Sequence, residues 1–168
     1  DKMVIKDFSI NVKAGQKVAI VGPTGAGKTT IVKLLMHFYE VNDGSILIDG
    51  HNIDDYDITD IRKSFGMVLQ DTWLYSGTIM ENLRYGKLDA TDEEVIEAAK
   101  VANVHHFIKT LPDGYNMVID EEMNNISQGQ KQLLTIARAI LANSKILILD
   151  EATSNVDTRT EELIQSAM

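Results

Sequence analysis

Apolar and polar residues alternate through residues 4–12, with Ile5, Phe8, Ile10 and Val12 on the apolar side. That period of two predicts a half-buried strand, closed by a turn at Ala14-Gly15. Residues 17–21 form a short apolar run that predicts a buried strand, and 22–27 a glycine-rich loop. From residue 28 to 39 the spacing changes: Ile31, Leu34, Leu35 and Phe38 recur at helical intervals and predict a helix. Residues 45–49 read as a strand ending in the hairpin dipeptide Asp49-Gly50, and residues 66–69 as a further short strand. A short helix is expected over 78–83. Longer helices are expected over 91–102 and 127–142, each opened by a capping box: Thr91 with Glu94, and Ser127 with Gln130. An apolar strand at 145–149 and a helix at 158–168 complete the pattern. Strand–loop–helix at the start and helix–strand near the end predict an α/β core with a parallel sheet, interrupted by a helical section from about 71 to 126.

Composition narrows the function classes. The 168 residues include 44% hydrophobic and 24% charged positions, as in ordinary globular chains, so disorder is not expected. The net charge of −9 argues against broad nucleic-acid binding, which needs Lys and Arg to displace counterions. With no cysteine there is no disulfide, thiolate catalysis or thiolate-bound metal. Apolar runs such as 18–21 and 146–149 fall far short of the ~20 residues that span a bilayer. The charged opening stretch is unlike a signal peptide, and a start at Asp1 rather than Met leads us to expect a piece of a longer chain.

The chemistry starts at Gly22-Pro23-Thr24-Gly25-Ala26-Gly27-Lys28-Thr29, followed by Thr30. This matches the phosphate-loop pattern G-x-x-x-x-G-K-[ST] between an expected strand and an expected helix. Glycines let the backbone approach phosphate oxygens, and the helix N-terminus favours the anion. Lys28 is placed to reach the β- and γ-phosphates of a nucleotide, and the Thr29 hydroxyl to ligate Mg²⁺. The strand 145–149 runs into Asp150-Glu151. Asp150 is expected to bind Mg²⁺, and Glu151 to polarise an attacking water. A GTPase would carry an [NT]-K-x-D base reader. The string Gly86-Lys87-Leu88-Asp89 lacks its first residue and reads as a solvated loop.

Ile126-Ser127-Gln128-Gly129-Gln130 lies at the start of an expected helix upstream of Asp150, and resembles the L-S-G-G-Q signature of ATP-binding-cassette (ABC) ATPases. Gln70 resembles the glutamine of their Q-loop, and Ser154-Asn155-Val156-Asp157 their D-loop. The stretches Ser76-Gly77-Thr78-Ile79-Met80-Glu81-Asn82 and Leu111-Pro112-Asp113-Gly114-Tyr115 resemble segments of the exporter branch. The resemblance covers the whole chain. It implies a P-loop NTPase core with a parallel sheet, N-terminal antiparallel strands and a helical subdomain (about 71–126), the whole of 1–168 being a truncated nucleotide-binding domain. It implies ATP and Mg²⁺ as ligands, with Gln70 joining Thr29 and Asp150 at the metal. It also implies catalysis by Glu151, Gln70 and Lys28 in an ATPase that powers export at the cytoplasmic face of a membrane. In this family two such domains close on each other, so that Ser127, Gln128, Gly129 and Gln130 would face the ATP of a second domain. The transmembrane partner is expected on the same polypeptide, and Trp73 and Tyr75 are expected to line the groove that receives it.

Three departures qualify the match. Gln128 stands where the signature usually has glycine, which implies a weakened half-site and favours a heterodimeric exporter. The family's adenine-stacking aromatic would precede Asp1. Its switch histidine would follow Met168, and His37, His51, His105 and His106 do not match it. The alternatives are an ATP-binding regulatory cassette with little hydrolysis, which an intact Glu151 argues against, and a DNA-associated cassette ATPase. The latter needs a coiled-coil insertion between Gln70 and Ser127, where no sustained heptads occur. Asp54, Asp55, Asp57 and Asp60 read as solvated surface, and Glu121 and Glu122 as an exposed loop or a contact with the membrane domain. Adjacent side chains diverge, so His105-His106 is not read as a metal site.

Overall fold

The computed structural model describes residues 4–68, 72–119 and 126–149. The chain divides into two compact units, Asp1–Arg62 and Lys63–Met168.

In the first unit the turn at residues 13–16 forms as expected: the Gln16 amide donates to the Lys13 carbonyl at 3.1 Å. The strands expected on either side of it, 4–12 and 17–21, do not form. Phe8, Ile10, Val12, Val18 and Ile20 are exposed. Alternation assigns side chains to two faces, but a strand also needs a neighbour to take its backbone hydrogen bonds. Among the described residues no strand pairs with either segment. Helix α1 spans Lys28–Leu35 and stops short of the expected residue 39. Its end is set by His37, whose φ of 54° is left-handed. There the Phe38 amide donates to the Lys33 carbonyl at 2.8 Å and the His37 amide to Leu34 at 3.0 Å, the two bonds of a Schellman stop. The apolar Phe38 continues the helical spacing in sequence but lies beyond this stop.

Strands β1 (Leu47–Ile48) and β2 (His51–Asn52) make the expected hairpin, antiparallel with Ile48 opposite His51. Both turn residues have positive φ, Asp49 at 50° and Gly50 at 82°. The acidic run that follows is exposed, and it also organises the backbone. Asn52 Oδ1 accepts from the Asp54 amide at the start of a 3-10 turn, Ile53–Asp55. Asp57 Oδ1 accepts from the Thr59 amide at 2.7 Å, where α2 (Ile58–Ser64) begins.

In the second unit β3 (Phe65–Val68) and β6 (Ile146–Leu149) pair in parallel, Phe65 with Ile146 through Val68 with Leu149. The parallel sheet is therefore present, and the chain leaves both strands at the same edge. A two-residue antiparallel pair, β4 (Gly77–Thr78) with β5 (Val118–Ile119), accompanies the helices α3 (Ile79–Arg84), α4 (Asp92–Val101) and α5 (His105–Thr110). The expected caps at Thr91 and Ser127 are both complete, and Thr78 with Glu81 adds a third capping box. Helix α6 (Gln128–Leu141) packs into one core with α3, α4 and α5. Ile79, Leu83, Val95, Ile108, Leu134 and Ile136 are almost wholly buried there. Small residues at Ala98, Ala99 and Ala137 take buried positions in the same core. The helix expected at 158–168 lies outside the described residues.

Candidate functional site

The loop at 22–27 delivers the chain into α1. Gly25 and Gly27 adopt φ of 83° and 93°, a region that strains any residue with a Cβ. A Cβ on Gly22 would stand 3.0 Å from that of Ala26. The Ala26 amide donates back to the Pro23 carbonyl at 3.1 Å, curling the loop. Gly22, Pro23, Thr24, Gly25 and Ala26 are exposed, while Gly27, Lys28 and Thr30 are half-buried. The Lys28 ammonium donates to the Gly22 carbonyl at 2.8 Å and to Pro23 at 3.3 Å. An ammonium has three N–H donors, so this arrangement holds the charge at the loop and leaves one donor for an incoming oxygen. The first intrahelical bond is Ile31 to Gly27, so the amides of Lys28, Thr29 and Thr30 have no partner of that kind. Together these groups form a cationic, amide-rich cradle that suits phosphate.

Thr29 is exposed in the first turn of α1, directly after Lys28. A hydroxyl beside a phosphate cradle fits a hard, oxygen-preferring cation such as Mg²⁺. Among the described residues no group of three or more His, Asp or Glu side chains gathers around a metal position. The residues expected to complete the site, Gln70, Asp150 and Glu151, lie outside the described residues, as do Ser154, Asn155, Val156, Asp157, Glu121 and Glu122. Gln70 is two residues beyond Val68 in the sequence and Asp150 directly follows Leu149. Those two residues are paired at the ends of neighbouring parallel strands.

The second unit carries the signature stretch at the start of α6. Ser127 Oγ accepts from the Gln130 amide at 3.2 Å, and the Ser127 amide donates to Gln130 Oε1 at 2.9 Å. Capping uses the hydroxyl as an acceptor, so its O–H can still donate to an anion. Gly129 is buried, whereas Ser127 and Gln128 are exposed. The Gln128 side-chain amide donates to Thr72 Oγ1 at 3.2 Å.

Sequence reasoning missed a polar node nearby. Asn82 is fully buried in α3. Its carboxamide donates to the carbonyls of Tyr75 (2.9 Å) and Thr78 (3.0 Å), and its oxygen accepts from the Tyr75 amide at 3.0 Å. Arg138, from the last turn of α6, donates to the Asn82 carbonyl at 2.8 Å, to Asn82 Oδ1 at 3.1 Å and to the Trp73 carbonyl at 3.0 Å. The same guanidinium lies 5.8 Å from the Trp73 ring centre and 5.4 Å from that of Tyr85. Burial lowers the Arg138 pKa, while the phenols of Tyr75 and Tyr85 oppose that shift. Burial raises the Tyr75 pKa, with a further push from Glu81. Trp73 and Tyr85 remain more than half exposed, at 57% and 55%. The surface is therefore an aromatic platform with a cation held beneath it. Asn82 on the same buried stripe as Ile79 and Leu83 was the available signal, because a polar side chain at an apolar position needs a dedicated partner.

The two adjacent histidines part company. His105 Nδ1 lies 2.8 Å from the Tyr115 hydroxyl, and His106 is exposed. Burial, with a smaller push from Glu97, raises the Tyr115 pKa to about 12.

Residues 5–154 match the ABC transporter family. The fatty acid ABC transporter ATP-binding/permease protein of Mycobacterium bovis (strain ATCC BAA-935 / AF2122/97) is 58% identical over 165 residues, covering 98% of this chain and 26% of that protein. A putative multidrug export ATP-binding/permease protein, YgaD of Bacillus subtilis (strain 168), is 51% identical, covering 98% of this chain and 28% of that protein. Among solved structures, a bacterial Atm1-family ABC exporter with ATP bound superposes with a TM-score of 0.85 at 47% identity, covering 94% of this chain and 27% of the other. The chain thus spans between a quarter and a third of the length of these relatives. With the match running from the phosphate loop through the signature helix, the chain belongs to the ABC transporter family, as its ATP-binding domain.

Proposed function

We propose that this chain is the ATP-hydrolysing motor of an exporter, working at the cytoplasmic face of the membrane. The observation that carries the reading is the curled 22–27 loop, with Lys28 held on its own carbonyls at the head of α1. The relatives named as joint ATP-binding/permease proteins support a transmembrane partner on the same polypeptide. The platform of exposed Trp73 and Tyr85 with half-buried Tyr75 suits contact with it. The stretch of about 71–126 would serve as the helical subdomain.

ATP would seat its β- and γ-phosphates in the loop of residues 22–27 and on the amides of Lys28, Thr29 and Thr30, with the Lys28 ammonium against their negative charge. Thr29, Asp150 and Gln70 would hold Mg²⁺, which neutralises charge on the same oxygens. Glu151 would orient a water in line with the γ-phosphorus. The water oxygen forms a bond to phosphorus, the bond to the bridging oxygen breaks, and ADP leaves with that electron pair. The water's protons pass to phosphate and to Glu151 or bulk water. The protein's part is positioning and electrostatic stabilisation.

Turnover needs a second nucleotide-binding domain whose ATP meets Ser127, Gly129 and Gln130. Gln128 favours an unequal pair, a heterodimer in which this chain gives its phosphate loop and Glu151 to one site and its altered signature to the other. The D-loop residues Ser154, Asn155, Val156 and Asp157 would lie along that junction.

The test is Glu151→Gln in the full-length transporter. ATP binding should persist, hydrolysis should stop, and a closed pair of domains should accumulate. Unchanged turnover would overturn the role of Glu151. Affinity purification through a tag on this chain, followed by intact-mass measurement, tests the heterodimer. Recovery of a single type of chain would refute it.

A further inference from the structure

Gln128 differs from the usual signature residue, and its side chain has a partner within its own unit. The amide nitrogen reaches Thr72 Oγ1 at 3.2 Å, joining residues 56 positions apart. Thr72 lies two positions after Gln70, and Gln128 one position after Ser127. The contact thus ties the first turn of α6 to the segment that follows Gln70. The same segment is held from the other end of α6, where Arg138 donates to the Trp73 carbonyl at 3.0 Å and lies against the Trp73 ring. Two long side chains, one from each end of α6, therefore grip consecutive residues of one segment.

We propose that Gln128 is a positioning residue that acts through Thr72, fastening the segment after Gln70 to the start of α6 so that the two move together. The inference rests on the reading of Ser127 and Gln70 given above. A glycine at position 128 offers no side chain for this bond, so the substitution supplies a tether in addition to changing the face met by phosphate. In the closed pair, Ser127 must meet an oxygen of the opposite nucleotide while Gln70 serves its own site. A shift of about 1 Å in either group can cost orders of magnitude in rate, whereas nucleotide capture by the 22–30 loop does not depend on it. Loss of one exposed tether, with Arg138 still in place, should cost far less. The effect belongs to kcat rather than to KM.

The experiment is a double-mutant cycle on ATP hydrolysis by the full-length transporter in lipid. Thr72→Val keeps the shape and removes the acceptor; Gln128→Ala removes the donor and keeps a good helix former; Thr72→Ser restores the hydroxyl. We expect each of the first two to lower kcat about threefold, the order expected from one hydrogen bond of about 0.7 kcal/mol. The double variant should lose no more than either single one, because both remove the same bond. Thr72→Ser should turn over normally, and KM for ATP should stay within twofold throughout. Additive losses, a normal Thr72→Val beside an impaired Gln128→Ala, or losses expressed in KM would overturn the inference, as would normal kcat in both single variants. Glu151→Gln is measured alongside. Normal hydrolysis in that variant would overturn the catalytic reading and this inference with it. A dead Glu151→Gln with an additive cycle would overturn the tether alone.

Discussion

Asn82→Ala tests how the second unit holds together. The substitution removes a fully buried carboxamide that takes part in four hydrogen bonds: two to the carbonyls of Tyr75 and Thr78, one from the Tyr75 amide and one from Arg138. Each such bond contributes on the order of 1 kcal/mol net, and a partner left buried without a substitute costs about 1–3 kcal/mol. Water entering beside the half-exposed Trp73 and Tyr85 can recover part of that loss. Arg138 keeps its bonds to the carbonyls of Asn82 and Trp73, which are backbone and survive the mutation. About 3 kcal/mol is therefore the expected loss, or roughly a hundredfold in the local opening equilibrium. Native-state hydrogen exchange on the full-length protein reads this directly. Protection of amides in α3 and α6 should fall about a hundredfold, with smaller changes in the first unit. Protection within threefold of wild type would refute the view that this node fastens α3 to α6.

Lys28→Ala should abolish tight Mg-ATP binding, since the cradle loses its direct cation; calorimetry with unchanged affinity would refute the assignment. Gly86→Ala should destabilise the second unit by about 1–3 kcal/mol, because a Cβ there would collide with the Arg138 backbone carbonyl. A denaturation midpoint equal to wild type would show that the backbone yields. Acid should loosen the helical section. Glu81 is held below its ordinary pKa of 4.5 chiefly by the Thr78 backbone, and Glu94 chiefly by its hydrogen bond to Lys87. A lowered carboxylate pKa gives stability that is present above 4.5 and lost as pH falls through the folded value. Circular dichroism should therefore show helix loss setting in below that range, and a smaller loss in Glu81→Gln, whose amide can keep the cap but does not titrate. An equal acid response in that variant would refute the role of the Glu81 carboxylate.

Local chemistry was legible wherever a structure depends on neighbours in the sequence. The capping boxes at Thr91 and Ser127, the Asp49-Gly50 turn and the phosphate loop all close within a few residues, so spacing alone located them. Helix α5 passed unnoticed because His105, His106 and Lys109 leave only Phe107 and Ile108 as apolar markers, too few to define a face. The stop at His37 was hidden for a different reason. Nothing in its chemistry announces a left-handed backbone, while Phe38 and Tyr39 prolong the apolar pattern.

The family was legible from the sequence alone, because it rests on short motifs with fixed spacing. Tertiary structure decided which segments became strands. Residues 65–68 and 146–149 found each other across the chain and paired, whereas residues 4–12 alternate more regularly and form no ladder among the described residues. It also decided that Asn82, Arg138 and Trp73 meet, and that Gln128 lies against Thr72. Backbone pairing and buried polar partners both depend on residues far away in sequence. No local pattern encodes them, and only the folded chain supplies the neighbour.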